Sequence, residues 1–389
     1  MKLNHGAHLG YCTNVHRGRD WGETFESLKT YTLAVRERVA PGRPFAIGLR
    51  LGHEAATELA EKRKLLQFKH WLENENCYIF SVNGFPYGRF HGVTVKENVY
   101  RPDWTSQDRI DYTNLLFDLL VELLPDGVEG SVSTLPGSFK EFVKTSAQAK
   151  AIRKNLWQCV EHISRLSERT GKKLHLGLEP EPLCYLENSK ETLAFFAKLR
   201  DEHKNDPRLD EFLGVNYDCC HFAVEYEEPQ KALGAFHAAG VKISKIHLSS
   251  ALKTPATPEA IAALGKFSDE VYLHQTIKRA ANGKLTFFRD LPDALAKYSK
   301  PKDSKWPEWR IHFHVPLHAP AIAPFQNTND HLLGTLDWLA KNPQACSHLE
   351  METYTWEVLP PELKSRTVVE QIAAEYDWTL ARLAERGLA

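Results

Sequence analysis

The sequence predicts an α/β chain built as a (β/α)8 barrel, a single domain over 1–389 with an insertion between strand 7 and strand 8. Three observations predict it. Over the first two-thirds of the chain, short β-type runs alternate with amphipathic helical stretches, the pattern of βα units on a parallel sheet. Four apolar runs stop at a hard metal ligand: LHLGLEPEP at Glu179, FLGVNYDCCH at Asp218 with His221 a turn later, SKIHLSS at His247, and SHLEMET at Glu350 or Glu352. The C-terminal ends of barrel strands converge on one rim, so these four tips point to a shared divalent-metal site. At 389 residues the chain also exceeds a plain barrel of roughly 250, which leaves room for an insertion.

The elements follow in order. HLGYCT (8–13) is the first strand, with a helix over 22–39 whose Phe25, Leu28, Leu33 and Val35 mark one face. FAIGLRL (45–51) precedes a helix at 54–74. CYIFSVNG (77–84) leads into a long polar-aromatic loop, and a helix begins near Ser106. GSVSTL (130–135) precedes a helix at 146–170 that stops at Gly171, a residue suited to the left-handed turn past a helix end. After LHLGLEP, Asn188 with Glu191 three residues on caps the next helix. FLGVNYD is followed by a helix from Pro229, and then SKIHLSS. Beyond this the rhythm breaks. The stretch 270–290 reads as a hairpin around Ala-Asn-Gly. A Pro/Lys-rich connection (299–308) leads to the β-type run WRIHFHVPLH (309–318), then a helix at 329–341, SHLEMETYTW (347–356) and a terminal helix at 367–386. Nine runs qualify as parallel strands where a barrel takes eight. The surplus is expected between 251 and 318, within an insertion placed at 252–310 that carries the hairpin.

Composition narrows the function. Lys+Arg number 49 and Asp+Glu 50, for a formal net charge of −1, without the basic stripe of a nucleic-acid binder. Nucleic acid is therefore disfavoured as a partner, and a small-molecule metabolite is expected. The 7 cysteines are odd in number and contain no CxxC, which fits reduced thiols in a cytoplasmic protein. MKLNHGAHLGYCTN lacks the apolar core of a signal peptide, and no run approaches the roughly 18 apolar residues of a membrane span. GxGxxG, P-loop, GxSxG and HExxH motifs are absent.

A mixed carboxylate and imidazole set favours Zn, Mn or Co over Mg or Ca, which prefer oxygen ligands. Glu179, Asp218, His247 and Glu352 are the expected ligands of this divalent metal. Each residue has a plainer reading. Glu179 lies beside two prolines and can be an exposed loop residue, Asp218 can cap the following segment, and His247 can be a satisfied core histidine. Their recurrence at four successive strand ends favours the metal. His348, Glu350 and Glu352 share a face by period-two alternation, and Glu352 is preferred because it lies nearer the rim. His312 and His314 also share a face. A second metal, a substrate contact, core packing and a hydrogen bond to the metal's ligands all remain open for them. The loop VNGFPYGRFHG with Asn83 and His91 has the length of a functional lid, and Arg50 at a strand end is a candidate for an anionic substrate group.

At these residues the chain resembles the xylose-isomerase-like TIM-barrel superfamily of sugar isomerases, 3-epimerases and endonuclease IV. The resemblance implies one metal held by Glu179, Asp218, His247 and Glu352, acid/base roles for the two glutamates, and a substrate contact from His221. TNVHRG, IGLRL, VNGFPYGRFHG, VKENVYRPDW, YLHQT, FHVPL and LEMETYTW together resemble the EboE family, barrel proteins of the ebo metabolite-traffic gene clusters. That implies handling of secondary-metabolite precursors and partner proteins from the same cluster. The long span between His247 and Glu352, with histidines inside it, is similar to multinuclear members, so His221, His312, His314 and His91 are candidates for a second ion. The leading expectation is isomerase- or epimerase-like chemistry on a small oxygen-rich metabolite. A metal-dependent phosphoesterase comes second, and a non-catalytic metabolite carrier third.

Overall fold

The computed structural model describes residues 1–298, 307–320, 323–361, 364 and 366–389. Among them the strands run in chain order as β1 (His8–Tyr11), β2 (Phe45–Arg50), β3 (Cys77–Asn83), β4 (Gly130–Thr134), β5 (Leu174–Leu178), β6 (Leu213–Asp218), β7 (Lys242–Leu248), β8 (Ala251–Pro255), β9 (Thr276–Arg279), β10 (Leu285–Phe288), β11 (Glu308–His314), β12 (Gln326–Asn327) and β13 (His348–Met351). Eight of these form one parallel sheet in the order β1-β13-β7-β6-β5-β4-β3-β2. A parallel bridge from Cys12 to Gly48 brings β1 to β2 and nearly closes the ring.

These strands are buried almost throughout, because helices cover the outside and side chains fill the interior. Period-two alternation sorts the residues. On β7, Ile246 and Leu248 join the main apolar core, while the neighbouring Lys245 and His247 are polar side chains at 0% exposure. On β13, Leu349 and Met351 join that core, while His348 and Glu350 are buried polar groups. The barrel axis is thus unusually polar. Gly48 makes room for it: a Cβ there would sit 2.4 Å from the Glu350 carboxyl carbon.

The helices follow the expected caps. Thr145 and Gln148 form a capping box at the start of the helix Ser146–Thr170, which ends at Gly171 with φ of 69°. Asn188 caps Ser189–Glu202 by accepting from the Glu191 N–H. The expected helix at 54–74 is two, His53–Leu59 and Lys62–Asn74, broken at Glu61, whose ψ is 122°. No Gly or Pro marks that break.

Between β7 and β13 the chain builds a second sheet in the order β10-β9-β11-β8-β12, all antiparallel. The hairpin of β9 and β10 and the WRIHFH run belong here. WRIHFHVPLH, counted among nine parallel candidates, is corrected to an antiparallel strand. A β-rich apolar run reads the same from sequence in either sheet. This sheet has its own core of Leu252, Phe267, Trp309, Ile311 and Phe313, packed with the helices Pro258–Leu264 and Leu291–Ala296. Most of the Pro/Lys-rich connection expected at 299–308 lies outside the described residues.

Candidate metal centre

Parallel register brings the strand tips together. Asp218 pairs with His247 across β6 and β7, and Glu350 pairs with His247 across β7 and β13. Glu179 follows β5, and Glu352 follows β13. One donor atom each from Glu179, Asp218, His247 and Glu352 lies within 4.8 Å of the others. His247 Nδ1 is the hub, 3.1 Å from Glu179 Oε1, 3.1 Å from Glu352 Oε2 and 3.4 Å from Asp218 Oδ2. All four residues are buried.

Three carboxylates around one imidazole, out of water, need compensating positive charge. Glu179 Oε2 and Asp218 Oδ2 are buried without a hydrogen-bond partner. The donor set therefore fits a divalent cation of the Zn, Mn or Co type. Without one, burial would lower the His247 pKa, yet Glu352 and Glu179 raise it well above the ordinary value. Burial pushes the Glu352 carboxyl up, against the pull of His247. Asp218 is held well below the carboxylate range because His221 and His247 outweigh the cost of burial.

Asp218 caps the following segment, the plainer of its two readings, and still faces the cluster. Its Oδ1 accepts from the His221 N–H at 3.0 Å, capping the short helix Cys219–Val224, and from Ser249 Oγ at 2.7 Å. Its Oδ2 stays turned to the cluster. Glu350 sits one layer deeper, with Oε2 3.3 Å from Lys245 Nζ and Oε1 3.7 Å from His247 Nε2.

A cleft opens above the cluster, lined among others by Glu179, Glu352, Asn83, His221 and His312. Asn83 Nδ2 lies 3.3 Å from Glu352 Oε1, which also accepts from Asn14 Nδ2 at 2.7 Å. His221 donates from Nδ1 to the Pro180 carbonyl at 3.0 Å. A second group of candidate donors, Asp218, His221 and His314, adjoins the first, and Cys220, His312 and His314 form a third. His314 Nε2 has no partner, and burial lowers its pKa to about 4. His312 Nδ1 lies 2.8 Å from Gln275 Oε1 and 3.3 Å from Glu181 Oε1.

Two candidates stand apart. Arg50 is buried and donates to the carbonyls of Gly18 and Gly88, so it braces the 84–104 loop and does not line the cleft. A cation at a strand end reads as an anion binder until the loop's carbonyls are seen around it. His91 has both ring nitrogens engaged, by the Asn14 carbonyl at 2.5 Å and the Tyr272 hydroxyl at 2.6 Å, and does not join the histidine cluster.

Sequence reasoning passed over Glu181, which accepts from Tyr100 Oη at 2.8 Å and Gln275 Nε2 at 3.0 Å. The alternation Glu179-Pro-Glu181 was its only signal. Asn14, Tyr272 and Tyr354 were also missed as cleft residues.

No protein-family model matches the chain, and no curated protein matches it. Solved structures do. An L-ribulose 3-epimerase structure is 12% identical with a TM-score of 0.52, covering 99% of this chain and 96% of that one. A xylose isomerase-like TIM barrel protein from Mycobacterium smegmatis in complex with magnesium is 12% identical at TM-score 0.53, covering 99% of both. A probable 3-DHS dehydratase involved in petrobactin synthesis from Bacillus anthracis is 11% identical at TM-score 0.50, covering 98% and 99%. At such identities the likeness is one of fold, and the chain shares the TIM barrel of these structures.

Proposed function

We propose that this protein is a divalent-metal-dependent isomerase or epimerase acting on a small oxygen-rich metabolite. The observation that carries the reading is the convergence of Glu179, Asp218 and Glu352 on His247 Nδ1 at the floor of an open cleft. Zn, Mn or Co fits the donor set, and such an ion would supply polarisation of a substrate carbonyl or hydroxyl. The protein's part is proton transfer and positioning. Glu179 Oε2, free of partners, is placed to take a proton from carbon beside that carbonyl, with Glu352 as the conjugate acid of the pair. Asn14 and Asn83 hold Glu352 Oε1 and so set the carboxyl plane. His221, anchored on the Pro180 carbonyl, presents Nε2 to bound substrate. The epimerase among the similar folds supports this assignment, and the resemblance to EboE supports a cytoplasmic role in secondary-metabolite precursor handling with partners from that cluster.

Solvent exchange is the direct test. Metal-loaded protein in D2O should exchange the proton next to the carbonyl of at least one sugar in a ketose and aldose panel, followed by NMR. Glu352→Gln should slow that exchange by about a hundredfold or more. No exchange on any member, with metal bound, would overturn the reading.

A second reading rests on the adjoining Asp218, His221 and His314 donors. Two ions held side by side would favour hydrolysis of a phosphate ester. Two equivalents of metal per chain, with phosphatase activity on bis(4-nitrophenyl) phosphate, would replace the isomerase assignment.

A further inference from the structure

The upper cleft differs in character from its floor. Phe90, Tyr272 and Tyr354 line it and pack as a trio, with ring centroids 5.1, 5.2 and 5.3 Å apart. Phe85 and Tyr100 continue the wall, 6.0 Å apart. The hydroxyls are turned to protein partners: Tyr272 to His91, Tyr100 to Glu181, and Tyr354 towards His312. Ring faces and edges are what this wall offers a ligand. Such surfaces favour flat apolar groups by burial and by offset or edge contacts.

Lysine and arginine are scarce on the same wall. Among the described lining residues, Lys96 is the sole lysine or arginine. Its ammonium is spent on Asp290 Oδ2 at 2.7 Å, the Tyr272 carbonyl at 2.7 Å and the Asp269 carbonyl at 2.9 Å. The two buried arginines nearby, Arg50 and Arg109, donate to loop carbonyls. Glu179, Glu181 and Glu352 meanwhile line the interior. A phosphate group is best held by guanidinium, ammonium or converging backbone N–H donors, and among the described lining residues no guanidinium and no uncommitted ammonium is present.

We infer that the substrate is a phosphate-free molecule carrying a flat apolar ring beside its oxygen-rich end. The oxygen-rich end rests on the function proposed above, and the ring and the exclusion of phosphate rest on the cleft wall alone. The 84–104 loop supplies Phe90 and the second sheet's approach supplies Tyr272, so this preference is built by the segments added to the barrel.

The test separates the two claims. Metal-stripped full-length protein is titrated with the neutral fluorophore N-phenyl-1-naphthylamine, which needs no metal and no reaction. Phe90→Ala and Tyr354→Leu should each weaken binding about fivefold or more. Phe325→Ala, in the separate apolar hollow near Phe267, should leave it within about twofold. Against metal-loaded protein, 6-O-benzyl-D-fructose should displace the probe at a concentration at least about tenfold lower than D-fructose 6-phosphate. Unchanged binding in both cleft variants, or a phosphate ester that competes as well as the benzyl ether, overturns the inference. Loss of solvent exchange with the probe results intact would count against the isomerase assignment alone.

Discussion

Lys245 is fully buried inside the barrel and reaches Ser81 Oγ at 3.0 Å, Ser133 Oγ at 3.1 Å and Glu350 Oε2 at 3.3 Å. Burial alone would raise the Glu350 pKa, but Lys245 and His247 hold it well below the carboxylate range. A buried pair adds little net stability, whereas breaking one side strands a charge. Lys245→Met should cost about 3–5 kcal/mol in urea unfolding, and Lys245→Met/Glu350→Met should recover most of it. A double variant no more stable than the single would refute the pairing. Glu375 offers a second residue-scale prediction. It accepts from the Leu317 N–H at 3.0 Å and Thr353 Oγ1 at 2.9 Å, and burial pushes its pKa from 4.5 up to about 7. The folded state therefore binds this proton more tightly than the unfolded chain, so the group's contribution is full below pH 4.5 and lost as pH rises towards about 7. Glu375→Gln should match the wild type near pH 4 and exceed it by about 3 kcal/mol at pH 8. Equal pH dependence of the two proteins would contradict this.

At the scale of elements, the 84–104 loop is pinned from both sides. Arg109 donates to the carbonyls of Gly84, Phe85 and Pro102, and Lys96 ties the loop to the approach of the second sheet. Lys96→Met removes a charge-assisted bond worth about 1.5–3 kcal/mol. Hydrogen exchange at residues 86–98 should accelerate about tenfold or more while metal content stays unchanged. Unaltered exchange would show that the loop is held elsewhere. The barrel strands were legible because short β-type runs alternate with amphipathic helical stretches, and four of the runs stop at a carboxylate or imidazole. The second sheet's pairing was not, since β11 carries the same alternation as a barrel strand and only its neighbours define its direction. Glu179, Asp218, His247 and Glu352 could be singled out because strand ends in a parallel barrel share a rim. Arg50, Glu181 and the Lys245–Glu350 pair depend on register and loop path, which local pattern does not encode.

On the scale of the whole molecule, a polar barrel axis runs from His348 through Glu350 and Lys245 to the His247 cluster, and the second sheet contributes His312 to the cleft. No helix among the described residues is long and apolar enough to cross a membrane. The proposed chemistry requires the cluster to hold a divalent ion. Elemental analysis of protein loaded with Zn or Mn and then dialysed, on the wild type and on Glu179→Gln/Glu352→Gln, measures this directly. The wild type should retain one equivalent that the double variant loses, with a metal-edge anomalous peak beside His247 Nδ1. Equal metal content in the two proteins, or a peak elsewhere, would contradict it.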